Sequence, residues 1–84
     1  MQIQIIMYST KYCGPCKIVK PKFIELVKAH PDYPSFIIDP QEEVVEDVHA
    51  VPCFKVIKDS KVVFQAYGME GFNELEKFIE TIIN

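Results

Sequence analysis

The chain has 84 residues, which is enough for one small domain over residues 1–84 and too few for two. Twelve acidic residues outnumber nine scattered basic ones, and the net charge of −3 at pH 7 excludes the basic surface typical of nucleic-acid-binding proteins. Apolar runs fall far short of the roughly 20 residues of a membrane-spanning helix, and the first residues lack the basic segment and cleavage site of a signal peptide. We therefore expect a globular, cytoplasmic monomer that binds neither nucleic acid nor a membrane.

The first half of the chain alternates between strand-like and helix-like patterns. Residues 3–9 alternate and then run apolar, which predicts a buried strand. From residue 14 to about residue 30 the apolar residues recur at helical spacing, and Pro21 inside this pattern is expected to kink the helix. After a proline-containing loop, residues 35–39 predict a second short strand, also buried.

The second half of the chain predicts two more strands and two more helices. Residues 41–48 carry valines on one side and carboxylates on the other, which predicts a short acidic helix with a solvated face. Residues 53–58 and 61–67 predict strands, and because only a turn at 59–60 separates them we expect an antiparallel hairpin. Residues 69–83 again have apolar residues at helical intervals, which predicts the last helix.

The order of these elements, βαβαββα, predicts an α/β fold. A helix joins the first two strands, so they should be parallel neighbours, whereas the hairpin should be antiparallel. We therefore expect a four-stranded mixed sheet whose two faces are covered by three helices.

The three cysteines are the residues most able to carry chemistry. An odd count argues against the disulfide framework of a secreted protein. Cys13 and Cys16 form a Cys-Gly-Pro-Cys segment, whereas Cys53 is alone. In a reducing compartment such a pair indicates redox catalysis or metal binding rather than a structural disulfide.

The position of Cys13 between the predicted strand and the predicted helix favours redox chemistry. The free N–H groups at the start of the helix, together with the helix dipole, stabilise a thiolate and should lower its pKa below the free value of about 8.5. Only the thiolate attacks a disulfide. Cys16 lies one helical turn further on and can then attack Cys13 to release the reduced substrate, while Pro15 suits the first helical turn.

Three alternatives accompany this interpretation. A bare Cys-X-X-Cys is a weak signal, and Cys13, Cys16, His49 and Cys53 make a possible Cys₃His zinc site. We nevertheless expect Cys53 to be a buried core residue and His49 to be exposed, and we predict no metal and no bound cofactor. Cys53 as a second, regulatory thiol remains open. A non-catalytic binding module is the third alternative, although the presence of both cysteines of the pair favours activity.

Val51-Pro52 directly precedes the third predicted strand. The residues alone favour an ordinary trans proline at the start of an edge strand. The cis form is the alternative, and it is uncommon and usually fixed by tertiary structure.

These motifs together resemble the thioredoxin superfamily over nearly the whole chain. Pro21 matches its helix-kinking proline, Pro52 its cis-proline and Gly68 the glycine that lines its substrate groove. The active-site sequence of thioredoxin is matched letter for letter by Cys13, Gly14, Pro15, Cys16 and Lys17.

The resemblance implies a thiol-disulfide oxidoreductase with a thioredoxin-like fold that reduces protein disulfides through Cys13 and Cys16. It implies a cis peptide at Val51-Pro52 and β-like pairing of the Val51 backbone with an extended substrate segment. The electron donor is then a flavoenzyme of the thioredoxin reductase type or glutathione. The substrate groove around Cys13 is predicted to comprise Tyr12, Pro15, Val51, Pro52, Gly68 and Met69.

The sequence also departs from the thioredoxin pattern. Thioredoxins usually begin with an extra strand and helix, whereas this sequence starts directly at the strand that leads to the active site, as in glutaredoxins, so a glutathione-dependent, glutaredoxin-like activity is the alternative. Tyr12 replaces the tryptophan before the first cysteine, Met7 replaces a buried aspartate and Ser35 replaces its lysine partner. We therefore expect water or a substrate group to accept the Cys16 proton. The Cys-Gly-Pro-Cys sequence favours thioredoxin-like protein reduction.

Overall fold

The computed structural model describes residues 2–83 and forms an α/β fold. Within this range neither helix has the length and apolar character that crossing a membrane requires. The elements of the described chain follow the order β1 (Ile3–Tyr8), α1 (Gly14–Lys28), β2 (Ser35–Ile38), β3 (Cys53–Lys58), β4 (Lys61–Tyr67) and α2 (Gly68–Ile83). The predicted fold class and the four strands are confirmed, but residues 2–83 contain two helices rather than three.

The four strands form one mixed sheet in the order β2-β1-β3-β4. β1 runs parallel to β2 and antiparallel to β3, and β3 runs antiparallel to β4. The turn between β3 and β4 consists of Asp59 and Ser60, with φ angles of 50° and 71°. Two consecutive residues with positive φ suit a two-residue hairpin turn. The predicted parallel pair and the predicted hairpin are therefore both confirmed.

Both helices pack on the same face of the sheet. Phe54 of β3 contacts an aromatic ring from each helix, at 6.0 Å from the ring centroid of Phe23 in α1 and 5.8 Å from that of Phe72 in α2. All three phenylalanines are buried. Alternate residues of β1 (Ile3, Ile5 and Met7) belong to the same core cluster. The expectation that helices cover both faces is therefore wrong.

A loop rather than a helix covers the second face. Residues 41–48, predicted to be helical, form turns and bends, so this prediction is wrong. Val45 and Val48 pack from this segment onto a second buried cluster, which contains Ile6, Tyr8 and Cys53. The valines thus still contribute apolar contacts, but from an irregular backbone.

The charges and backbone angles explain why residues 41–48 are not helical. In a helix Glu42 would face Glu46 and Glu43 would face Asp47, and like charges at this spacing are destabilising. Valines have a lower helix propensity than straight-chain residues, and a segment this short is marginal without tertiary support. Asp47 adopts a φ of 57°, which a right-handed helix excludes.

β2 is an exposed edge strand rather than the predicted buried one. Ser35, Phe36 and Ile37 are exposed, and only Ile38 is half-buried. The physical reason is the strand order, because β2 has one neighbour and the two buried clusters are centred on β1 and β3.

Candidate active site

Cys13 is the N-cap residue of α1. Its backbone is extended, with φ −95° and ψ 108°, and its Sγ accepts a hydrogen bond of 3.1 Å from the backbone N–H of Cys16. Pro15 occupies the first turn of the helix, where a missing N–H leaves no helical hydrogen bond unmade. The free donors and the positive end of the helix dipole are therefore directed at the Cys13 sulfur, as predicted.

Cys13 and Cys16 are joined by a disulfide bond, with their Cα atoms 5.2 Å apart. Cys13 retains 8% of its surface exposed, whereas Cys16 retains 1%. A thiolate formed at Cys13 would thus be both stabilised by the helix and reachable from solvent, whereas Cys16 is screened. Cys16 is therefore the more buried of the two cysteines.

The Val51–Pro52 peptide bond is cis, as the resemblance implied and contrary to the preference drawn from the residues alone. Pro52 is buried, and its carbonyl oxygen accepts a hydrogen bond of 2.8 Å from the backbone N–H of Gly68. Val51 is half-buried and packs against the core cluster that contains Cys13 and Cys16. Val51 also packs against the second buried cluster, so the cis-proline segment contacts the cores on both faces of the sheet.

The remaining groove residues predicted from the sequence differ in exposure. Tyr12 is 89% exposed and Met69 is 45% exposed, so both present apolar surface on the segments that flank Cys13 and Gly68. Pro15 is exposed, and Gly68 is half-buried with a φ of 75°. Their shared role in binding a substrate stays a prediction.

Met7 and Ser35 stand where thioredoxins have a buried charged pair. Met7 is fully buried in the same core cluster as Cys16, and Ser35 is exposed at the start of β2. At the position of the aspartate that the resemblance implies, the cluster around Cys16 thus contains the apolar side chain of Met7.

The third cysteine lies on the other face of the sheet. Cys53 pairs with Tyr8 across β1 and β3 and is fully buried in the second cluster, as predicted. Burial raises the pKa of the Cys53 thiol above its ordinary value, and Lys55 nearby and hydrogen bonds from Tyr67 and Gln65 oppose this shift only in part.

The candidate zinc ligands are not assembled. Cys13 and Cys16 belong to one buried cluster and Cys53 to the other, on the opposite face of the sheet. His49 is exposed. Among residues 2–83 there is no group of three or more His, Cys, Asp or Glu side chains that could hold a metal ion.

Sequence analysis missed a buried lysine. Lys55 lies in the middle of β3 and is only 7% exposed. The signal was available in the sequence, because a lysine flanked by Phe54 and Val56 interrupts an apolar strand, and lysines are rarely buried without a partner.

A mixed four-stranded sheet with a cysteine pair at a helix N-terminus and a cis-proline before β3 is typical of the thioredoxin-like class of α/β proteins. The thioredoxin family model matches residues 1–81, and the chain belongs to this family.

The chain is similar to thioredoxins of known sequence and structure. It is 31% identical over 86 residues to chloroplastic thioredoxin F of Oryza sativa subsp. japonica, covering 96% of this chain but only 46% of that relative. It is 28% identical to oxidised mitochondrial thioredoxin 3 of Saccharomyces cerevisiae, with a TM-score of 0.85 and coverage of 95% of this chain and 78% of that one.

A third similarity is to a chain in the crystal structure of a complex between ferredoxin:thioredoxin reductase and thioredoxin f2. The identity is 28% and the TM-score is 0.80, with coverage of 99% of this chain and 78% of that one.

Proposed function

We propose that this protein is a thiol-disulfide oxidoreductase that reduces disulfides of protein substrates through Cys13 and Cys16. The observation that carries this proposal is the position of the Cys13 sulfur, which accepts the Cys16 N–H at the start of α1. Membership of the thioredoxin family supports the same activity. The predicted single thioredoxin-like domain over residues 1–84 is part of the proposal.

The reduction proceeds in two exchanges. The Cys13 thiolate attacks one sulfur of the substrate disulfide, so that a mixed disulfide forms while the other substrate sulfur leaves as a thiolate and takes a proton. Cys16 then loses its proton and attacks the Cys13 sulfur, which breaks the mixed disulfide and releases the second substrate thiolate. The substrate gains two electrons, and the Cys13–Cys16 disulfide remains.

The proton of Cys16 passes to water or to a substrate group in this scheme. Buried Met7 cannot accept it, since a thioether is not a base at physiological pH, and the core cluster around Cys16 consists of apolar side chains and the two cysteines.

The substrate pairs with the segment that precedes the cis-proline. The Val51 backbone forms β-like hydrogen bonds with an extended substrate segment, while the groove places that segment over Cys13. Backbone pairing accepts many sequences, which suits a reductase that acts on several protein disulfides. The apolar contacts of the groove come from Tyr12, Pro15, Pro52, Gly68 and Met69.

The disulfide is reduced again by a reductase, so the protein carries electron pairs from that donor to its substrates. Support comes from the similar chain in the complex of ferredoxin:thioredoxin reductase with thioredoxin f2. A flavoenzyme and glutathione stay predictions as donors, and a glutaredoxin-like activity gains no support from the relatives named above. The cytoplasmic location also stays a prediction, since the rice relative is chloroplastic.

Reduction of insulin by dithiothreitol tests the proposal without any assumption about the natural donor. The wild-type protein should accelerate insulin reduction, and Cys13→Ser and Cys16→Ser should both abolish the acceleration. Reduced Cys16→Ser, mixed with insulin after the dithiothreitol has been removed, should accumulate a mixed disulfide that is visible by mass spectrometry. Cys53→Ala is the matched control and should retain the activity, because Cys53 lies on the opposite face. Activity that survives in Cys13→Ser would refute the proposed mechanism.

A further inference from the structure

Side chains of the sheet donate hydrogen bonds to the loop that leads to the cis-proline. This cover loop, residues 39–52, connects β2 to β3 and lies over the face opposite the helices. It is not helical, so its carbonyl groups lack the partners that a helix would supply. Three side chains of β3 and β4 donate to two of these carbonyl groups.

Lys55 supplies the first donor. Its Nζ lies 3.0 Å from the carbonyl oxygen of Glu46 and 5.3 Å from the centroid of the Tyr8 ring. A buried ammonium group is destabilising unless it is paired, and a carbonyl oxygen and an aromatic face are both suitable partners. The buried charge of Lys55 is therefore directed at the cover loop rather than at solvent.

Gln65 and Tyr67 supply the other donors. The Gln65 side-chain amide donates to the carbonyl oxygen of Asp47 at 2.6 Å and to the Tyr67 hydroxyl at 2.9 Å. The Tyr67 hydroxyl donates to the same Asp47 oxygen at 3.3 Å. Gln65 is the cross-strand partner of Lys55, so the donors share one face of the sheet.

The carbonyl groups that accept these hydrogen bonds belong to Glu46 and Asp47, which lie only a few residues before Val51. Val51 follows Asp47 by four positions, so an extended chain places it within about 14 Å of that anchor. At its other end the segment is held by the hydrogen bond from the Gly68 N–H to the Pro52 carbonyl. The backbone from residue 48 to residue 52 thus runs between two carbonyl groups that accept hydrogen bonds, those of Asp47 and Pro52.

We propose that Lys55, Gln65 and Tyr67 are positioning residues that hold the Val51 backbone where an extended segment of a protein substrate pairs with it. They act on the face opposite the disulfide and do not touch the reacting sulfurs. The inference rests on the proposed oxidoreductase function. The inference also predicts that the reduction of protein substrates depends on the position of the Val51 backbone, whereas the reduction of small disulfides does not.

Lys55→Met tests the first anchor, since it removes the donor while it keeps a long apolar side chain. With insulin as substrate KM should rise roughly fivefold, the size of effect expected when one hydrogen bond is lost. The kcat, and the rate with the small disulfide 5,5′-dithiobis(2-nitrobenzoate), should be unchanged. Lys55→Arg should restore KM, because it keeps a cationic donor. Lys58→Met is the matched control, since it removes a lysine at the far end of β3 and should leave KM unchanged.

The double variant Gln65→Leu/Tyr67→Phe tests the second anchor and decides the matter if Lys55→Met does not fold. It should raise KM for insulin without slowing the small disulfide. An unchanged KM in the double variant would overturn the inference, and so would an equal slowing of both substrates. A wild-type protein that reduced neither substrate would instead refute the proposed function itself.

Discussion

The backbone N–H of Gly68, the first residue of α2, donates a hydrogen bond of 2.8 Å to the carbonyl oxygen of Pro52, which directly precedes β3. Gly68 makes this contact with a φ of 75°, in the left-handed region. The hydrogen bond joins the end of the cis-proline segment to the start of α2. One backbone contact thus fixes the cis-proline segment relative to the helix that covers the core.

Replacement of Gly68 by alanine should destabilise the fold through the backbone alone. A Cβ at this position meets no atom within 4 Å, so the penalty comes from the left-handed conformation and amounts to about 1–2 kcal/mol. Urea unfolding should show this decrease in the free energy of unfolding. Gly14→Ala is the control, because its Cβ also meets nothing within 4 Å and its φ is not in that region. Equal stability of the two variants would contradict the expectation.

The reduced protein should show one unusually reactive thiol. The Cys16 N–H and the start of α1 stabilise the Cys13 thiolate, so its pKa should lie below the free value of about 8.5. Alkylation by iodoacetamide against pH, mapped by mass spectrometry, should show that Cys13 reacts first. Cys53, fully buried, is the internal control and should react only after unfolding. Three thiols that titrate alike would contradict the assignment of Cys13 as the nucleophile.

The stability of the oxidised protein should fall in alkaline solution. Burial raises the pKa of the Cys53 thiol and that of the Tyr8 hydroxyl above their ordinary values. A group with a raised pKa holds its proton more tightly in the folded state, so its stabilising effect is complete below the unfolded pKa and is lost as the pH rises through the folded pKa. The free energy of unfolding should therefore decrease above about pH 9.

Cys53→Ala should flatten the first part of this decrease, and Tyr8→Phe the part at higher pH. Chemical unfolding at a series of pH values measures both slopes, and the disulfide keeps Cys13 and Cys16 from titrating. Phe36→Leu is the control, because it changes an exposed side chain without adding or removing a titratable group. An identical slope in Cys53→Ala and the wild type would show that the thiol does not contribute.

The core should depend strongly on Phe54. Its ring contacts Phe23 and Phe72 and is fully buried, so Phe54→Ala should lower the free energy of unfolding by about 3–5 kcal/mol. Phe36 is the matched control, since 46% of its surface is exposed on the edge strand. Thermal or urea unfolding should show a much smaller loss for Phe36→Ala. Similar losses in both variants would contradict the described core.

Local patterns predicted much of this fold because the deciding interactions are close in sequence. The strand before Cys13, the helix after it and the hairpin around Asp59 all follow from short-range periodicity and turn residues. The Cys13–Cys16 disulfide spans one helical turn, and the position of this pair between a predicted strand and a predicted helix made the pairing foreseeable. The cis peptide before Pro52 was foreseeable only through the resemblance to thioredoxins, since a Val-Pro sequence by itself favours the trans form.

The predicted helix at residues 41–48 shows where local patterns were insufficient. Its valines are spaced as on a helix face, but the same spacing also serves a loop that packs on a sheet. The choice was made by donors far away in the chain, since Lys55 binds the Glu46 carbonyl and Gln65 binds the Asp47 carbonyl. Contacts with residues outside the segment cannot be predicted from the pattern of its own eight residues.

The sequence by itself determined the strands, the two long helices and the position of the cysteine pair at a helix start, because hydrophobic periodicity and a Cys-Gly-Pro-Cys segment act over a few residues. Tertiary structure alone decided that both helices share one face, that β2 lies exposed at the edge and that the Lys55 ammonium group donates to the Glu46 carbonyl of the cover loop. These features depend on which strands become neighbours and on which buried polar groups find partners. That balance is set by the whole assembled chain.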